Sequence, residues 1–319
     1  MTPNAKGALF ALGAFGVFST HDVFIKVLGG SYSPIQIVFF SVLLSFPLAT
    51  IMLMRDATPG TLIPKHPWWL ALRTLAAVAT GISAFYAFSV LPLAQVYAII
   101  FASPLMITVL AIPVLGERVR LRRWVAVLVG LAGVMVVLRP GSTELTLGHA
   151  AALTTAAAGA IAAIVVRKIG AEERPVVMLL YPMVVNFIVM AILLPLVYVP
   201  MPINHLGMLG VVAAFAWIAN RMIITAYQNG EAAIIAPMQY SQILWASVYG
   251  FAFFGEVIDL NTAIGAAIII ASGLYIVLRE SGAGNSENTP VLRSRSRVET
   301  GTTPRVSLIM RATGRTPPR

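Results

Sequence analysis

The chain has 319 residues, of which 58% are hydrophobic and only 11% charged, less than half the charged share of a soluble domain, about 25%. That balance excludes an ordinary soluble globular protein and points to a single integral membrane domain. Cysteine is absent, which excludes disulfides and thiolate metal sites, and the net charge of +10 lies between apolar runs as membrane topology requires, so no nucleic-acid partner is expected.

Ten apolar runs of about 20 residues follow one another, long enough to cross a bilayer. They cover roughly 6–27, 34–54, 68–90, 93–115, 122–138, 147–168, 175–199, 205–228, 232–254 and 261–279. None alternates, so helices rather than a barrel are expected to satisfy the backbone in lipid. The first run follows a single lysine, Lys6, and lacks a small-residue exit, so it is expected to be retained rather than cleaved as a signal peptide. It holds Asp22, the one carboxylate well inside a run, with His21 beside it and Lys26 four residues on over the same helix face. Ionisable groups at such depth are costly and mark function by default. His21, Asp22 and Lys26 are the candidates for carrying a coupling proton; the alternative is an ion pair at the helix end whose lysine reaches the interface.

The third run carries Arg73 about one turn in. The fourth, PLAQVYAIIFASPLMITVLAIPVLGE from Pro92 to Glu117, has an interior Pro104 and puts Tyr97, Phe101, Pro104 and Thr108 on one face. The sixth, GHAAALTTAAAGAIAAIVV from Gly148, consists of small residues that let helix backbones approach closely, and belongs inside the bundle. In the eighth, Arg221 follows Asn220 and has Trp217 and Thr225 one turn to either side, a mixed face that suits a cavity wall. The ninth, EAAIIAPMQYSQILWASVYGFAFFGE from Glu231 to Glu256, is the most polar: Pro237 frees a backbone carbonyl just ahead of Gln239, Tyr240, Gln242 and Trp245. A broken, polar-lined helix is tolerated only against protein or a watery cavity. Amides orient ligands by hydrogen bonds and aromatic faces stack flat rings. Tyr97, Phe101, Trp217, Arg221, Gln239, Tyr240, Gln242 and Trp245 are therefore the candidate substrate-binding residues. Hydrogen bonding between helices is the alternative use of the polar ones.

Runs four and nine end alike, in Gly116-Glu117 and Gly255-Glu256, 139 residues apart. Val137-Leu138-Arg139 returns as Val277-Leu278-Arg279, and Lys26 and Pro34 stand opposite Arg167 and Pro175. This half-length echo divides the chain into 1–140, 141–280 and a tail, 281–319. Five spans per half is an odd number, so the expected architecture is an all-α membrane protein of ten transmembrane helices in two inverted repeats. With the N-terminus in the cytoplasm, that side collects Lys6, Arg55, Lys65, Arg118, Arg120, Arg122, Arg123, Arg167, Lys168, Arg174 and Arg279. The other side has Lys26 and Arg139, an asymmetry that puts both termini in the cytoplasm. The tail, rich in Ser, Thr, Pro, Gly and Arg, cannot bury a core and reads as disordered. Its arginines are within reach of anionic lipid headgroups.

The chain has no GxxxxGK followed by Ser or Thr, no HExxH and no GxSxG, and its four histidines are scattered. Neither a nucleotide-driven motor nor a hydrolase is encoded, and no cofactor or metal is expected.

Leu91-Pro92-Leu93-Ala94 with Gly116-Glu117-Arg118, and Gly230-Glu231-Ala232-Ala233 with Gly255-Glu256, resemble the EamA branch of the drug/metabolite transporter superfamily, over residues 6–280. The resemblance implies a permease of the bacterial inner membrane, not an enzyme, with a central cavity lined by both halves and alternating access. Within that branch THDVFIKVLGG, YSPIQIVFFSVLLSFPLA, APMQYSQILWA and TPRVSL are similar to bacterial riboflavin permeases; related branches move S-adenosylmethionine or export amino acids. The implied partners are a small-molecule substrate, riboflavin-like in the first instance, and membrane lipid; a homodimer is left open. A flat, largely uncharged ring with polar edges suits walls of aromatics and amides. A zwitterion would want a fixed countercharge, for which Asp22 and Arg221 are the deep candidates. The competing class is a non-transporting membrane subunit that docks through its basic tail.

Overall fold

The computed structural model describes residues 3–54, 61–116, 121–140, 144–170, 172–229 and 232–282. Glu117, Arg118, Gly230, Glu231 and the tail from 283 onward lie outside the described residues. Within them the regular elements are helices: α1 (Pro3–Gly29), α2 (Pro34–Met54), α3 (Pro67–Val90), α4 (Leu93–Ile100), α5 (Ser103–Leu115), α6 (Leu121–Leu138), α7 (Leu147–Ile169), α8 (Pro175–Leu193), α9 (Ile203–Asn229), α10 (Ala232–Ile235), α11 (Ser241–Phe254) and α12 (Leu260–Gly282). Prolines open α2, α3 and α8, where the missing N–H was unpaired anyway. Gly116 and Gly255 close α5 and α11 at φ 70° and 64°, the left-handed cap that glycine adopts without strain.

Each of the ten apolar runs forms a helix or a set of short helices. The fourth breaks at Phe101–Ala102, between α4 and α5. Pro104 has no N–H to give the Ile100 carbonyl and its ring crowds that carbonyl, so the ladder changes to the short bonds Ala102 N→Ile99 O and Leu105 N→Ala102 O, both 3.0 Å. The ninth breaks likewise at Pro237: α10 gives way to a 3-10 turn, Ala236–Tyr240, before α11 resumes. Among the described residues seven spans are long and apolar enough to cross a membrane: α1, α2, α3, α4 joined to α5, α7, α8 and α9. The apolar parts of α6 and α12 are shorter, Trp124–Leu138 and Leu260–Ile276.

The helices pack through small residues. Ala11 and Ala14 of α1 meet Ala219 and Ala226 of α9, and Ala76 of α3 meets Ala158 and Ala162 of α7, where Ser83 and Thr155 also pair at 2.8 Å. Gly133 of α6 faces Gly265 of α12 so closely that a Cβ on Gly265 would lie 2.7 Å from the Gly133 carbonyl. Lipid gives helices no hydrophobic reason to associate, so close backbone approach has to. The Ala-rich α7 is accordingly the most enclosed of the seven spans, 67% buried. Exchanging the two halves of the chain turns the α1–α9 contact into α7–α3 and leaves α6–α12 as itself.

Candidate functional site

The breaks in runs four and nine bring α4 and α11 together beside α1. Asp22 on α1 is wholly buried. Its carboxylate accepts a hydrogen bond from the Tyr97 hydroxyl of α4 and lies 2.8 Å from Nδ1 of its neighbour His21. Tyr97, itself wholly buried, accepts from Gln242 Nε2 of α11 at 3.3 Å. A chain of polar groups therefore runs Gln242–Tyr97–Asp22–His21 across three helices drawn from both halves. One atom in it is unspent: Gln242 Oε1 is buried and has no hydrogen-bond partner among the described residues, a state that costs about 1–3 kcal/mol until a donor arrives.

Aromatic rings surround this seam. Phe88 and Tyr97 meet edge to face at 5.3 Å, Tyr97 and Phe101 lie 5.9 Å apart, and Phe101 meets Tyr240 edge to face at 5.1 Å. The Tyr240 hydroxyl fills the space that a Cβ on Gly273 of α12 would need. Trp245 stacks on Tyr249 at 6.1 Å and covers Gly16 of α1, where a Cβ would come within 3.2 Å of the indole. Gln239 is half-buried on the 3-10 turn. Tyr97, Phe101, Gln242 and Tyr240 thus stand around one seam, and Trp245 packs beside it against α1.

The other candidates lie elsewhere. Lys26 shares a helix face with Asp22, but its charge goes to Glu256, with Nζ 2.7 Å from Oε1, and to the Leu91 carbonyl at 2.5 Å. The next turn of α1 reaches the end of the bundle, where the Glu256 carboxylate stands within ion-pair distance of Lys26. Trp217 and Arg221 hold each other, the guanidinium 5.5 Å from the ring centroid, and Trp217 is 42% exposed. They sit across α9 from Ala219 and Ile223, which pack on α1, and so are apart from the seam.

Glu256 was not singled out as a site residue from the sequence. Besides Lys26 it takes the Leu93 N–H at 3.0 Å, so one carboxylate ties α1, the start of α4 and the end of α11 together. Its side chain and that of Lys26 are only 18% and 12% exposed. The Gly255-Glu256 ending was visible in the chain, but nothing local says that it meets a lysine more than two hundred residues earlier. A small, partly open pocket lies next to it, lined by Gln95, Ser247, Glu256, Asp259 and Thr262 among others. No cluster of potential metal ligands occurs among the described residues.

Long apolar helices, buried polar groups at their breaks and an ion pair at one end define a polytopic integral membrane protein. The model of the EamA-like transporter family matches residues 5–139 and again 146–278, and the chain belongs to that family. It is a transporter family, in keeping with the missing hydrolase and nucleotide motifs. The chain is 25% identical to an S-adenosylmethionine uptake transporter of Rickettsia bellii, over 83% of this chain and 91% of that one. It is 24% identical to the pseudopaline exporter CntI of Pseudomonas aeruginosa, over 87% and 98%, and 24% identical to a riboflavin transporter of Brucella anthropi, over 78% and 90%. A solved crystal structure at 16% identity superposes with a TM-score of 0.56, over 86% of this chain and 98% of that one, and speaks to the fold alone.

Proposed function

We propose that the chain is a secondary transporter of the bacterial inner membrane, built from two inverted repeats with both termini in the cytoplasm, that carries a small metabolite with a flat aromatic part. The observation that carries this is the Gln242–Tyr97–Asp22 chain, polar groups of both halves meeting where two spans are broken. Half-helices with freed backbone at mid-bilayer are how transporters build substrate sites. Gln242 Oε1 is the waiting acceptor, and Phe101, Tyr240 and Trp245 are the rings against which a flat ligand stacks once the seam opens.

Riboflavin uptake is the first substrate reading. An uncharged tricycle with imide edges suits an amide among aromatics, and one relative carries that name. A zwitterion of the S-adenosylmethionine type is the second, favoured by the buried Asp22 carboxylate, which would meet a cationic centre, and by a relative named for that uptake. His21 and Asp22 are the coupling pair: the imidazole beside the carboxylate exchanges a proton without a change of fold. Lys26 and Glu256 close the end of the bundle that this topology places outside.

The test is uptake of labelled riboflavin, S-adenosylmethionine and amino acids by cells expressing the protein, with and without a proton gradient. Gradient-dependent accumulation of one of the first two selects the substrate. No uptake or efflux of any of them, with the protein in the membrane, defeats the proposal. Truncation after residue 281 is expected to leave flux intact; loss of function with normal insertion would favour the docking subunit.

A further inference from the structure

One partly buried charge takes no part in the seam. Arg73 of α3 has Leu70, Ala76 and Ala77 as neighbours one turn away, all buried, whereas Leu72 and Leu75 are exposed. Its guanidinium therefore enters the bundle, on the side where α3 packs against α7 and α8. Nε and Nη1 are enclosed and have no hydrogen-bond partner among the described residues. Two acids just after α7, Glu172 and Glu173, are both turned to His66, just before α3: one to its ring Nε2 at 2.8 Å, the other to its backbone N–H at 2.5 Å. Trp69, one turn before Arg73, has Lys168 Nζ 6.0 Å from its ring centroid, so the surroundings already carry a second cation. Arginine does not escape by losing its proton. A guanidinium with two enclosed nitrogens that have no partner among the described residues is unfavourable, and an anion relieves it.

We propose that Arg73 anchors an oxyanion site in the half of the bundle that holds Lys168. The ligand class is a carboxylate or a phosphate ester, whose paired oxygens match the planar guanidinium fork. The anionic group belongs either to a transported metabolite, a source that rests on the transport reading above, or to a lipid headgroup at that end, a source that does not. Since Nε and Nη1 are enclosed here, the anion enters as α3 parts from α7 and α8, and its binding shifts the population toward that opened form.

The experiment compares wild type with Arg73→Met, Arg73→Gln and Arg73→Lys, purified in an uncharged detergent and followed by thermal unfolding. In anion-free buffer Arg73→Met is expected to raise the midpoint by about 3 °C, because it removes the uncompensated charge and keeps the stem. Four probes follow: riboflavin, riboflavin 5′-phosphate, S-adenosylmethionine and dioleoylphosphatidylglycerol. An anionic probe is expected to raise the wild-type midpoint, with apparent affinity at least tenfold weaker in the Met and Gln variants and partly kept by Lys. A response to the soluble phosphate or carboxylate probes assigns the site to cargo, and a response to the phospholipid alone assigns it to lipid. A lower midpoint for Arg73→Met in every buffer, or equal responses of all variants to every probe, overturns the site. Equal riboflavin binding by all four proteins without an anion response removes the site and leaves the transporter standing.

Discussion

Asp22 and Lys26 lie one turn apart on the same face of α1, and the bundle holds their charges by opposite means. Asp22 is wholly buried and is met by a phenol and an imidazole, groups that carry exchangeable protons. Lys26, at the bundle's end, is met by the full opposite charge of Glu256. A charge held by proton donors is neutralised by moving one proton over a bond length. A charge held by a countercharge stays until the two backbones move apart. The first arrangement suits coupling and the second suits closure.

The largest effect is expected at Asp22. Asp22→Asn keeps the size and most of the hydrogen-bonding capacity but cannot take up a proton, so transport is expected to fall at least tenfold, in line with loss of a group acting in the cycle, and its pH dependence to flatten. The measurement is initial uptake against external pH at matched membrane content. An unchanged pH profile would return Asp22 to a purely structural role and erase its contrast with Lys26. Gln242→Ala comes next. It removes the amide that reaches Tyr97 and the unspent acceptor, and is expected to weaken substrate affinity by about tenfold, the equivalent of about 1.4 kcal/mol, with insertion preserved. Wild-type KM in that variant would place the ligand elsewhere.

The end pair is a weaker lever of a different kind. Glu256→Gln and Lys26→Met each free the closure, so exchange or leak is expected to rise while substrate affinity holds. The charge swap Lys26→Glu with Glu256→Lys is expected to recover part of the loss. Groups in contact couple by about 0.5–3 kcal/mol in double-mutant cycles, and these side chains are shielded enough to sit in the upper part of that range. Additive single effects would show that the pair is incidental, leaving Asp22 alone as the functional charge on α1.

Why these two residues differ was only half written in the chain. The ten apolar runs, the breaks that Pro104 and Pro237 impose, and the presence of a carboxylate in the first run all follow from local rules: length, the missing proline N–H, the cost of charge in lipid. Periodicity also put Tyr97 and Phe101 on one face, and the structure sets that face against Tyr240 and Gln242. Partnership at long range is another matter. Helical spacing made Lys26 the natural partner for Asp22, and only packing brings Glu256 to it. Arg221 and Trp217 show the same limit: the heptad gives a mixed face, but which side of α9 meets α1 is decided by Ala219 and Ala226.

Asp259 offers the smallest and cleanest test of how this end handles charge. It lies just before α12, where its carboxylate caps the helix by accepting from Thr262 N at 2.7 Å and Thr262 Oγ1 at 3.0 Å, and it is bonded to Arg139 at the end of α6. Burial pushes its carboxyl up, but the Thr262 hydrogen bonds and the Arg139 charge outweigh that and hold it below the usual carboxylate range. A group whose folded value is depressed stabilises fully above its unfolded value, about 3.9, and loses that contribution as pH falls through the folded value. The difference in unfolding midpoint between wild type and Asp259→Asn should therefore be constant above about pH 5 and shrink only below about pH 4. It should be small throughout, because the pair is half exposed and screened, and salt should reduce the Arg139 share while sparing the cap. A difference that persists undiminished into acid would mean that the carboxylate charge at this end contributes nothing. Closure there would then rest on Lys26 and Glu256 alone.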